Sequence, residues 1–193
     1  MNKNIILHLY SRPQTVFSMR ELALIFPSIP YPLLKKRLSY SISTGKLIKL
    51  RRGIYAKPAF EPDELVQKIY APSYISLQTV LLREGILFQP YTTLFAISYL
   101  TREIFVNHTI RISYHKIPSE ILLCKKGLIE VNGYLIASKE RALLDLIYIY
   151  KNYHIDNLTS INWDIIAEIR TLYENKSFQK QVDSYYALYK NEK

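Results

Sequence analysis

The first sixty residues are punctuated so tightly that few chain paths remain open to them. Ile5, Ile6, Leu7 and Leu9 give an apolar run over Asn4 to Tyr10, a short helix closed before Pro13. Ser18-Met19-Arg20-Glu21 follows. A serine three residues ahead of a glutamate forms a capping box, so a helix is expected over Met19 to Phe26, stopped by Pro27. Its inner stripe is Met19, Leu22, Ala23 and Phe26. After Pro27-Ser28-Ile29-Pro30, residues Tyr31 to Thr44 read as a third helix. Pro32 sits in its first turn and Gly45 stands ready to end it. Leu34, Leu38 and Ile42 recur on one side of that helix.

The stretch KLIKLRRGIYAKP comes next, residues 46–58. Lys46 to Leu50 alternates as a strand, Arg51-Arg52-Gly53 makes a turn, and Ile54 to Ala56 returns. Leu47, Ile54 and Leu50 are expected to tie this hairpin to the helices. Helix, helix, turn, helix and β-hairpin in this order is the order of a winged helix-turn-helix.

The charge distribution fits that reading. Residues 1–60 hold eleven Lys and Arg against one acid, Glu21. Residues 61–193 hold fifteen of each sign. The whole net charge of +10 therefore belongs to the first module, which marks it as an anion binder. The third helix carries Lys35, Lys36, Ser39, Tyr40 and Ser43 opposite its apolar side, with Arg37 at the flank. With Lys46, Lys49, Arg51 and Arg52 of the hairpin, these ten residues are the expected DNA-binding set. The helix would read the major groove, and the turn would drop Arg51 and Arg52 onto the phosphate backbone or into the minor groove. Lys3 and Lys57 read better as solvated charges.

Residues 61–193 form a second module, expected to be a mixed α/β domain, so the class is α+β throughout. Helices are expected at Pro62 to Tyr70 and Ser76 to Arg83. Strands are expected at Thr93 to Tyr99 and Ile104 to Lys116. A short helix starts at Pro118-Ser119-Glu120. Asn132-Gly133 joins two apolar runs within Gly127 to Ala137, a hairpin signal. Ser138 caps a long helix in which Glu140 favours the helix dipole and Arg141 pairs with Asp145 at i,i+4. Trp163 to Tyr173 and Ser177 to Tyr189 complete the helices. Tyr185, Tyr186 and Tyr189 read as the edge of an amphipathic core, with a protein interface as the other reading.

Signals for catalysis are missing. His8, His108, His115 and His154 are scattered, and the seven-residue spacing of His108 and His115 in a strand region puts them on opposite faces unless a bulge or turn intervenes. Five glycines leave no phosphate-cradling loop. Glu130 lacks the lysine two residues on that a nuclease pattern needs. The lone Cys124 forms no internal disulfide and reads as a small buried hydrophobe in a reducing, cytoplasmic protein. No apolar run spans a bilayer. The expectation is no enzyme, no cofactor, no metal and no membrane.

Three segments resemble the AbiEi-type antitoxins of bacterial toxin–antitoxin and phage abortive-infection operons. They are the hairpin with Arg52-Gly53-Ile54-Tyr55, the run APSYISLQTVLLREGIL (71–87) with Tyr74-Ile75-Ser76 opening a helix, and LIASKERALLDLIY (135–148) with Glu140, Arg141, Leu143 and Asp145. The resemblance covers residues 1–150, and Thr79-Val80 departs from the small residues relatives place there. It implies an autorepressor that binds operator repeats in double-stranded DNA. It also implies a second domain opposing a nucleotidyltransferase-like toxin, without direct contact between the two being required. The alternative from the residues alone is a winged-helix regulator whose second domain binds a small effector or another protein.

Overall fold

A computed structural model describes residues 5–191, and Asn4, included in the expected first helix, lies outside them. The chain is mixed α+β, built on two sheets. The first part runs α1 (Ile5–Tyr10), β1 (Val16–Ser18), α2 (Met19–Ile25), α3 (Tyr31–Ser43), β2 (Ile48–Arg51) and β3 (Ile54–Ala56). The strands form an antiparallel sheet in the order β1-β3-β2. Strand β1 carried no period strong enough to be read in advance. Three residues, Val-Phe-Ser, are too few to show alternation.

The expected capping box is formed. Ser18 Oγ accepts from the Glu21 amide at 3.2 Å, and Glu21 Oε2 accepts from the Ser18 amide at 2.8 Å. The turn after α3 passes through Gly45 at φ +68°, a conformation that favours glycine.

The small sheet is buried on both faces. Side chains alternate along a strand, so β1 and β3 serve two cores, while Lys49 and Arg51 of β2 are exposed. Phe17, Tyr55 and Leu47 join Leu9, Leu22, Leu34 and Leu38 under the three helices. Val16, Leu50, Ile54 and Ala56 point the other way, into the core of the second part. Leu50 and Ile54 therefore tie the hairpin to the second module, not to the helices as expected.

The second part runs α4 (Glu64–Ile69), β4 (Ser73–Ile75), α5 (Leu77–Arg83), β5 (Thr93–Ser98), β6 (Arg102–Val106), β7 (Ile110–Lys116), α6 (Ser119–Leu123), β8 (Leu128–Val131), β9 (Tyr134–Ala137), α7 (Lys139–Tyr150), α8 (Trp163–Ile169) and α9 (Lys176–Asn191). A short 3₁₀ turn, Arg170–Leu172, follows α8. The strands make one six-stranded mixed sheet, β6-β7-β5-β4-β9-β8. Pairs β5/β7 and β4/β9 are parallel, and the others antiparallel.

The single strand expected over Ile104 to Lys116 is two strands, with Asn107 and His108 at positive φ in the turn between them. Asparagine and histidine are among the non-glycine residues that tolerate this region. His108 thus sits in a turn, and its spacing from His115 is not that of one strand. Tyr74 and Ile75, expected to open a helix, end strand β4 instead. The helix begins only after Ser76.

Helices α4 and α7 cover opposite faces of the large sheet. Tyr114 of β7 donates its hydroxyl to the Val66 carbonyl of α4 at 2.9 Å, while its neighbour His115 lies 3.3 Å from the Tyr150 hydroxyl of α7. Tyr185 of α9 is buried and donates to the Tyr153 carbonyl, whereas Tyr186 packs on Trp163. Cys124 is half-buried.

A buried carboxylate clamps the two sheets' modules together. Glu64 of α4 accepts from the Thr15 amide at 2.9 Å, the Thr15 hydroxyl at 2.9 Å and the Val16 amide at 2.8 Å. Lys68, one turn further on, pairs with Glu21 at the start of α2. We expect Glu64→Ala to cost about 3 kcal/mol, because it strands two backbone donors and a hydroxyl without water. Urea denaturation reads this as a lower midpoint. A loss under about 0.5 kcal/mol, the range of ordinary surface changes, would mean the clamp contributes nothing.

Candidate nucleic-acid interface

The outward side of α3 is set by its inward side. Leu34 and Leu38 are fully buried and Ser41 nearly so. At 100° per residue their opposite stripe holds Leu33, Lys36, Ser39, Tyr40 and Ser43. Lys35, Lys36, Ser39, Tyr40 and Ser43 are all exposed, and Arg37 is half-buried at the flank. Ser39 and Ser43 donate their hydroxyls back to the Lys35 and Tyr40 carbonyls, at 3.0 and 2.9 Å. Their oxygens face outward as acceptors.

Lys46, Lys49, Arg51 and Arg52 are exposed as well. Lys46 directly follows the helix, where its carbonyl accepts from the Tyr10 hydroxyl at 3.0 Å. The hairpin differs from the expected form in two ways. Arg51 belongs to β2, paired with Ile54, so the turn is only Arg52-Gly53, with Gly53 at φ +78°. The turn is also tied back to the start of α2, since the Gly53 carbonyl accepts from the Met19 amide at 2.7 Å. Burial dominates and keeps the Tyr114 phenol of β7 above its ordinary range, while the Arg51 charge pulls it downward.

The electrostatics of this face are one-sided. Among the described residues, none of Lys35, Lys36, Lys46, Lys49, Arg51 and Arg52 is in a salt bridge. The one acid of the first sixty residues, Glu21, is occupied by Ser18 and Lys68. Burial pushes its carboxyl upward, but those partners win and hold it below the usual carboxylate value. Six cations thus stand in water with no internal counter-charge, which is a surface fitted to a polyanion.

Two residues of this surface escaped the sequence reading. Leu33 and Tyr31 are 41% and 57% exposed at the start of α3. The helical spacing of Leu33 from Lys36 and Tyr40 was the available signal, and its apolar character concealed it.

The other chemistry-bearing residues meet elsewhere. Arg141 and Asp145 of α7 sit at the centre of the second part, both fully buried. Arg141 Nε approaches Asp145 Oδ1 at 3.4 Å, and its terminal nitrogens donate to the Lys126 and Ile121 carbonyls at 2.8 and 2.7 Å. Asp145 accepts from the hydroxyls of Tyr173 at 2.6 Å, Ser76 at 2.7 Å and Tyr74 at 3.2 Å. Burial, then the Asp145 charge, holds the Tyr74 and Tyr173 phenols well above their ordinary value, so both stay protonated donors. Glu140 is buried too and accepts from the Asn162 amide at 3.3 Å. The segments Tyr74-Ile75-Ser76 and Glu140-Arg141-x-Leu-x-Asp145 are therefore two sides of one bonded network.

Among the described residues no group of three or more His, Cys, Asp or Glu is placed to hold a metal ion. No helix there is long and apolar enough to cross a membrane. No family model matches the chain, and comparison with curated proteins finds no match.

Proposed function

We propose that this protein binds double-stranded DNA through its first sixty residues, folded as a winged helix-turn-helix, and represses its own operon. In this reading α3 enters the major groove, and Lys46, Lys49, Arg51 and Arg52 neutralise adjacent phosphates. The order of α1 to β3 and the β1-β3-β2 sheet support it. The observation that carries it is the acid-free outward side of α3 and the hairpin, where Lys35, Lys36, Lys46, Lys49, Arg51 and Arg52 form no salt bridge among the described residues.

The turn is tied to α2, and α3 carries the weight of recognition. The arginines act as backbone contacts beside it. We further propose, on the resemblance to AbiEi-type antitoxins, that the second part opposes a nucleotidyltransferase-like toxin encoded beside it. The network of Tyr74, Ser76, Arg141 and Asp145 explains those resembling segments as core structure. A toxin-opposing surface must be sought among exposed residues.

The test is fluorescence anisotropy of the full chain on a labelled duplex from upstream of its own gene, titrated at several salt concentrations. Log affinity is expected to fall linearly with log salt, with a slope near −0.9 for each phosphate contact. An absent or salt-independent interaction overturns the DNA reading.

A further inference from the structure

Leu33 shares the outward side of α3 with Tyr40 and lysines. Leu34 and Leu38 are fully buried and supply the inward packing of the helix, while Leu33 stands 41% exposed in its first turn. Leu33, Lys36 and Tyr40 follow at i, i+3 and i+7 on one stripe, and Tyr40 is 68% exposed. The neighbouring charges are Lys35 and Lys36, with no acid beside them. The matching occupant is strongly negative and offers small apolar groups between its charges.

The major groove of DNA has that character. Its phosphates line the edges, and the thymine C5-methyl is the apolar group presented on its base edges. Residues near the start of a recognition helix are the ones that reach base edges. No Arg, Asn or Gln, the residues suited to bidentate reading of guanine or adenine, stands on this stripe. Lys36 supplies a point charge.

We propose that Leu33 and Tyr40 form an apolar reading edge that selects thymine through its methyl group, so that T·A pairs set the specificity of the site. This inference rests on the DNA-binding reading above.

The experiment first selects a duplex from a random-sequence pool with the full chain. Each thymine of that duplex is then replaced singly by uracil, which removes only the methyl. Affinity is expected to fall about fourfold at each contacted position, the fold-change that one buried methyl carries. Leu33→Ala, exposed and helix-favouring, leaves the fold intact. It should bring the thymine-to-uracil ratio at its positions to about one while the salt slope stays the same. Equal affinity for thymine and uracil at every position would overturn the proposal and leave DNA binding standing. A ratio unmoved by both Leu33→Ala and Tyr40→Ala would overturn it as well. Enrichment of no duplex at all would remove the DNA reading, and the inference with it.

Discussion

Asp145→Ala should remove a large share of the protein's stability. The change removes the carboxylate that accepts from Tyr74, Ser76 and Tyr173 and faces Arg141. Arginine does not lose its proton, so a fully buried guanidinium would remain without its counter-charge. Breaking a buried pair from one side costs about 3–5 kcal/mol, set against a total stability of about 5–15 kcal/mol. Three hydroxyls also lose their acceptor.

Thermal denaturation followed by circular dichroism should show a large fall in Tm or no cooperative transition. The double variant Arg141→Met with Asp145→Leu separates charge from packing, because it removes both charges and keeps apolar volume. It should be more stable than Asp145→Ala alone. A single variant that melts like the parent would mean that the network does not hold the second part together.

Replacing Lys35, Lys36, Arg51 and Arg52 together by alanine should weaken DNA binding on the order of a thousandfold at physiological salt, with the salt slope about 3.6 shallower, if each contacts one phosphate. These residues are exposed and form no ion pair among the described residues, so the fold should be untouched. Circular dichroism of the variant checks that point. The pairs can be separated. Lys35 and Lys36 lie on the outward side of α3, whereas the turn holding Arg52 is anchored to Met19. The lysine pair should therefore account for at least half of the lost slope. An unchanged slope in the fourfold variant would rule this surface out as the phosphate-binding face.

The coupling of the two modules changes what a truncation can test. The small sheet presents Val16, Leu50, Ile54 and Ala56 to the larger core, and Glu64 binds the backbone of Thr15 and Val16. Cutting near residue 60 would expose both apolar faces and leave Glu64 without its donors. Point variants on the exposed side of α3 are cleaner probes.

Much of the first part was legible in the sequence because its signals are local. The capping box at Ser18 and Glu21, the prolines flanking α3 and the glycines at 45 and 53 act on backbone a few residues away. The +10 charge of the first sixty residues likewise needs no structure to be counted. The i,i+4 spacing of Arg141 and Asp145 announced their pairing.

Only the tertiary structure decided the rest. Strands β1 and β4 have three residues each and owe their state to neighbours far along the chain. The turn at Asn107 and His108 is read from the pairing of β6 with β7, which no local period reveals. That Leu50 and Ile54 face the second module, and that Tyr74, Ser76 and Tyr173 converge on Asp145, follows from contacts spanning 28 residues or more. Capping and charge are properties of neighbouring residues, so a linear chain displays them. Burial depends on which surfaces meet, and that is settled only when the whole chain has closed on itself.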